Sequence, residues 1–122
     1  MKKILIVDDE PTILMALEYA FKKQNYEVFI ARDGSEAIEI VKNKIPDIVL
    51  LDIMMPKVDG YQTLKDIKEN ENLKNIKVVF LTAKSKKADI EKGFSLGVDN
   101  YFTKPFSIKK IISEINILIN ES

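Results

Sequence analysis

At 122 residues the chain suits a single domain, residues 1–122, large enough to bury about two-thirds of its unfolded surface without a staple. It has neither cysteine nor histidine, which excludes disulfide scaffolds, thiol nucleophiles, Ser-His triads and imidazole or thiolate metal sites; carboxylates, hydroxyls and lysines must carry any chemistry. Its 19 basic and 19 acidic residues cancel, leaving no field to hold nucleic acid or an anionic membrane as a direct partner.

The first apolar run, Ile4 to Val7, predicts a strand that stops at Asp8-Asp9-Glu10. It is too short for a signal peptide or a membrane span, so a cytoplasmic protein is expected. Pro11 opens a helix with Ile13, Leu14, Leu17, Ala20 and Phe21 inward, and with Thr12, Met15, Ala16 and Tyr19 forming an outward apolar patch. Val28 to Ala31 predicts a second strand, and Asp33-Gly34-Ser35 starts a helix with Ala37, Ile38 and Val41 inward. Ile48 to Leu51 is apolar throughout, as a strand covered on both faces requires, and it leads to Asp52.

Asp59-Gly60 starts a third helix with Leu64 and Ile67 inward and Lys65 and Lys68 outward. Val78 to Leu81 ends at Thr82, and the next helix carries Ile90 and Phe94 as its apolar pair. Val98 to Phe102 leads to Lys104-Pro105, and Ser107 precedes a last helix with Ile108, Ile111, Ile112, Ile115, Leu118 and Ile119 on one stripe. Ile117 lies roughly opposite that stripe and should be exposed. Five strands alternating with five helices, joined by right-handed crossovers, give an α/β three-layer sandwich around a parallel sheet.

In such a sheet ligands bind outside the carboxyl ends of the strands. Asp8-Asp9, Asp52, Thr82 and Lys104 all fall there, so topology gathers three carboxylates, a hydroxyl and an ammonium in one crevice. Two like charges about 4 Å apart repel by roughly 4 kcal/mol at an effective dielectric of 20, and three together rival a domain's net stability of about 5–15 kcal/mol. Cations must relieve this. Lys104 is one, and a hard divalent ion is the natural second, with Mg²⁺ favoured because it accepts one or two carboxylates plus water and phosphoryl oxygens.

Asp8-Asp9-Glu10-Pro11, Asp52-Ile53-Met54-Met55-Pro56 with Asp59-Gly60, Thr82-Ala83 and Tyr101-Phe102-Thr103-Lys104-Pro105-Phe106 together resemble the response-regulator receiver pattern along the whole chain. Taken singly, each residue has a blander role as a helix cap, a turn former or a solvated lysine. Their joint order at the strand ends carries the resemblance.

The resemblance implies a flavodoxin-like strand order 2-1-3-4-5 and a phosphoacceptor of two-component signalling. Asp52 would take a phosphoryl group from a histidine kinase or phosphohistidine protein. Asp9, Asp52 and the Met54 carbonyl would hold Mg²⁺, with Asp8 acting mainly through water. Lys104, aimed by a cis bond before Pro105, would pair with a phosphoryl oxygen. Thr82 and Tyr101 would form the switch, Tyr101 turning inward from an exposed position and altering the surface of helix four, strand five and helix five. Such a chain modifies itself and is not an enzyme in the turnover sense.

The kinase is expected at the first helix, near Thr12, Met15, Ala16 and Tyr19. A downstream protein or a second copy is expected on the output surface, to which Ile117 is adjacent. Met54 and Lys84 would lie over the phosphoryl group, and Met54, unable to orient water, would make its loss slow. The alternatives are a phosphorylation-independent interaction module, or a receiver fragment with an output domain after Ser122. A flavodoxin would need a hydroxyl- and glycine-rich loop where Asp8-Asp9 stands. A haloacid-dehalogenase-like phosphatase would need an Asp where Met54 stands.

Overall fold

The computed structural model describes residues 1–55 and 58–120. Pro56, part of the motif after Asp52, and Ser122 lie outside the described residues. Strands β1 (Lys3–Val7), β2 (Glu27–Ala31), β3 (Ile48–Leu51), β4 (Lys77–Thr82) and β5 (Asn100–Thr103) alternate with helices α1 (Pro11–Lys23), α2 (Gly34–Lys44), α3 (Gly60–Lys68), α4 (Lys87–Ser95) and α5 (Ile108–Asn120). All four strand pairings are parallel, and the order is β2-β1-β3-β4-β5, as expected.

Alternation along the buried strands builds the two faces. Ile4 and Ile6 of β1, Ile48 and Leu50 of β3, and Val79 and Leu81 of β4 point to one side, where Leu14, Leu17 and Phe21 of α1 and Ile111, Ile115 and Ile119 of α5 cover them. Leu5, Val7, Val49, Leu51, Val78 and Phe80 point to the other, under Ala37 and Val41 of α2 and Leu64 and Ile67 of α3. Both faces are dry, which is why the strands read as continuous apolar runs. Among the described residues no helix is long and apolar enough to cross a membrane.

The helix starts follow the capping residues. Asp33 accepts from the Glu36 N–H at 2.9 Å, Asp59 from the Gln62 N–H at 2.9 Å and Ser107 from the Lys110 N–H at 3.3 Å.

Three expectations are corrected. The fifth strand begins at Asn100, because Gly97 takes a left-handed φ of 96° and lets the Val98 N–H return to the Gly93 carbonyl at 3.1 Å, closing α4. Phe94 is 48% exposed. The buried residue of α4 is Gly93, where an added Cβ would stand 3.2 Å from the rings of Phe80 and Tyr101, so the helix packs by its backbone. Lys68 is half-buried, and its ammonium donates to Asp99 Oδ2 and to the Ile76 carbonyl, both at 3.0 Å.

Candidate functional site

The carboxyl ends of β1, β3 and β4 leave Asp8, Asp52 and Thr82 side by side, with exposures of 2%, 4% and 0%. The strand ladder continues one step into the site: the Asp8 N–H donates to the Ala31 carbonyl and the Asp52 N–H to the Val7 carbonyl. The loop after β5 is tied to the end of β4 by the Lys104 N–H on the Thr82 carbonyl at 2.9 Å. That bond delivers the Lys104 side chain into the crevice, and the Lys104–Pro105 bond is cis, as expected.

Lys104 Nζ donates to Asp8 Oδ2 at 2.9 Å, Asp52 Oδ2 at 3.1 Å and Glu10 Oε1 at 3.3 Å. The remaining oxygens of the two buried acids are held by backbone: Asp8 Oδ1 accepts from the Glu10 N–H at 2.9 Å, and Asp52 Oδ1 from the Met54 N–H at 3.1 Å. It is thus the Met54 amide that touches Asp52, while the Met54 side chain is 55% exposed. Asp52 is also closely backed, because an added Cβ at Gly60 would stand 2.6 Å from the Asp52 carbonyl oxygen. Only glycine lets α3 begin there.

Burial pushes the Asp8 carboxyl above its ordinary value; the Lys104 and Glu10 hydrogen bonds offset part of this, and the Asp52 charge adds to it. For Lys104 burial acts downward, but the hydrogen bonds and charges of Asp8 and Asp52 together outweigh it and hold the ammonium well above the usual lysine range. Three carboxylates therefore contact one ammonium, with exposed Asp9 beside them, and the charge is unbalanced. Asp8, Asp9 and Glu10 each bring a carboxylate oxygen within 4.8 Å of the others, a hard oxygen donor set that fits a divalent cation such as Mg²⁺. Glu10 was not foreseen in this group; its acidic neighbours were its one signal. Asp52 adjoins the group through Lys104.

Thr82 Oγ accepts from the Lys84 N–H at 3.3 Å. The Lys84 side chain stands 3.8 Å from Asp89 and lines one cleft with Asp9 and Met54. Tyr101 departs from expectation: its ring is turned inward and half-buried, and its hydroxyl donates to the Lys84 carbonyl at 2.7 Å. Burial, with the Tyr61 hydroxyl and the Asp89 and Asp52 charges nearby, pushes this phenol up to about 12. The structure thus joins Asp8, Asp52 and Lys104 directly, places exposed Asp9 at the rim, and links Thr82 to Tyr101 through Lys84.

On α1, Thr12, Met15, Ala16 and Tyr19 are all exposed, Met15 at 69% and Tyr19 at 64%. On α5, Ile117 is 49% exposed, as its position opposite the stripe required.

A family model described as the response regulator receiver domain matches residues 4–116. The chain is 36% identical over 121 residues to the alkaline phosphatase synthesis transcriptional regulatory protein PhoP of Bacillus subtilis (strain 168), covering 99% of this chain and 50% of that protein. It thus spans about half the length of this curated relative. Among solved structures, the receiver domain of the Francisella response regulator 1452 is 31% identical with a TM-score of 0.91, covering 99% of this chain and 98% of that one. A CheY-like response regulator receiver domain protein from Methanospirillum hungatei JF-1 is 26% identical with a TM-score of 0.92, covering 99% and 95%.

Proposed function

This chain belongs to the response-regulator receiver family of two-component systems, and on that premise we propose that it accepts a phosphoryl group on Asp52 from a histidine kinase or phosphohistidine protein. The observation that carries the reading is the Lys104 ammonium held between Asp8 and Asp52 at 2.9 and 3.1 Å. A carboxylate oxygen of Asp52 attacks phosphorus in line while the bond from phosphorus to the donor breaks, giving an acyl phosphate. Lys104 needs no long movement to exchange its Asp52 contact for a phosphoryl oxygen, and its raised basicity keeps it charged throughout. The Met54 N–H, already on Asp52 Oδ1, orients the nucleophile.

Receiver domains in general bind Mg²⁺. Here Asp8, Asp9, Asp52 and the Met54 carbonyl, with Glu10 beside them, would hold it. When bound, Mg²⁺ supplies positive charge where phosphoryl oxygens gather it, the main requirement of this transfer.

A phosphoryl oxygen can accept from the Thr82 hydroxyl, whose oxygen now accepts from the Lys84 N–H. Lys84 is bonded in turn to Tyr101, so charge at Asp52 reaches the surface of α4, β5 and α5 through three residues. There Phe94 and Ile117 stand exposed for a downstream protein or a second copy. The exposed Met15 and Tyr19 of α1 serve the kinase. The chain remains a self-modifying switch rather than a turnover enzyme.

The test is intact mass after incubation with acetyl phosphate, with and without Mg²⁺, on wild type and Asp52→Asn. One phosphoryl adduct that needs both Mg²⁺ and Asp52 is the expected result. Absence of an adduct, together with no response to beryllofluoride, would replace this reading with a phosphorylation-independent interaction module.

A further inference from the structure

Phe80 of β4 is flanked by two tyrosines. Tyr61 of α3 and Tyr101 of β5 each meet its ring edge to face, at centroid distances of 5.7 Å and interplanar angles of 89° and 88°. Their hydroxyls reach the same stretch of chain from two sides. Tyr101 donates to the Lys84 carbonyl at 2.7 Å, and Tyr61 donates to the Asp89 carbonyl at 3.2 Å. The Lys84 and Asp89 side chains face each other at 3.8 Å, and the Lys92 ammonium stands 4.2 Å from the centroid of the Tyr61 ring. The segment from Lys84 to Asp89, which carries the loop after Thr82 into the first turn of α4, is therefore pinned at both ends by phenols resting on one phenylalanine.

Tyr61 also adjoins Gly60, whose backbone lies against the Asp52 carbonyl, and the Gly60 N–H donates to the Ile53 carbonyl at 3.0 Å. A path thus runs from the Asp52 loop through Gly60 and Tyr61 to Asp89 on α4, without passing through Thr82 or Tyr101.

We propose that Tyr61 is a second positioning residue of the switch, coupling the Asp52 loop to α4 and holding the 84–89 segment, with Tyr101, in the arrangement that receives the phosphoryl group. This rests on the phosphoacceptor reading above. Gly93 explains why two anchors matter: α4 packs through a glycine against the Phe80 and Tyr101 rings, so it has little side-chain interlock of its own and depends on the tyrosine hydroxyls for its placement.

The experiment compares wild type, Tyr61→Phe, Tyr101→Phe and the double variant by amide hydrogen exchange without phosphodonor, and by the rate of adduct formation from acetyl phosphate with Mg²⁺. Tyr61→Phe keeps the ring on Phe80, so its thermal unfolding should stay close to wild type. Exchange should rise locally in residues 84–90 while the β1 and β3 amides are unchanged. The rate should fall by about threefold to tenfold, the worth of one hydrogen bond, and the double variant should lose less than the product of the two single losses, because both bonds hold one segment. Equal exchange and equal rate in Tyr61→Phe and a phosphorylatable wild type overturn this proposal alone. A wild type that takes up no phosphoryl group overturns the phosphoacceptor reading, and the exchange measurement then still decides whether Tyr61 pins α4.

Discussion

Lys104 Nζ donates to Asp8 Oδ2 across 2.9 Å, joining two side chains that are 13% and 3% exposed and lie 96 positions apart in the chain. A lysine so placed holds the structure together, apart from the chemistry proposed for it. Removing one partner of a buried ion pair leaves the other uncompensated, so Lys104→Met should destabilise the fold by about 3–5 kcal/mol. Urea unfolding at pH 7 in chelator measures this, and Asp8→Asn in the same chain should recover part of the loss.

The Asp8 carboxyl titrates above its ordinary value, with burial the first cause. In the window above 3.8 the folded chain therefore holds a proton that the unfolded chain has released. Stability contributed by this group is present on the acid side and falls as pH rises through that window. Asp8→Asn, whose amide oxygen can still accept from the Glu10 N–H and which leaves Lys104 paired with Asp52 and Glu10, should be more stable than wild type near neutrality without divalent cation, with the difference shrinking toward pH 4. Adding Mg²⁺ should raise the wild-type midpoint more than that of the variant. Equal urea midpoints for the two proteins across that range would show that the carboxylate carries no such burden.

Gly60 admits no side chain where α3 starts, because the obstacle at 2.6 Å is the backbone of Asp52 and Ile53. Gly60→Ala should cost about 2–3 kcal/mol and slow phosphoryl uptake by displacing the Asp52 loop. Gly97→Ala is the control. It suffers a φ of +96° but has its nearest outside atom 3.8 Å away, so about 1 kcal/mol is expected, with uptake unchanged.

The Met54 side chain is exposed beside Asp52 and offers no hydrogen-bond donor to an attacking water. Met54→Asn should shorten the life of the acyl phosphate, measured as decay of the mass adduct after the phosphodonor is removed. Decay no faster than wild type would remove Met54 from the control of that step.

If the α1 patch is the kinase site, Met15→Glu with Tyr19→Glu should weaken transfer from a cognate kinase by roughly tenfold or more, since two exposed apolar contacts are lost. The rate with acetyl phosphate should be unchanged, because neither side chain touches Asp52.

Local chemistry determined most of the architecture. Strands dry on both faces must be apolar throughout, helix starts need side-chain acceptors, and a parallel sheet brings its carboxyl ends together. Those requirements alone place Asp8, Asp52, Thr82 and Lys104 in one crevice, and they make Asp33, Asp59 and Ser107 legible as caps. Tertiary contact decided the rest. Phe94 turns outward because Gly93 is the residue that fits against Phe80 and Tyr101. Lys68 is drawn in by Asp99, 31 positions away, and Tyr101 and Tyr61 find their acceptors on a segment that neither adjoins. A helical period records which side of a helix is apolar, but not what the facing element offers at each position. The crevice was therefore readable from the chain, while the clamp that connects it to α4 exists only in the packed fold.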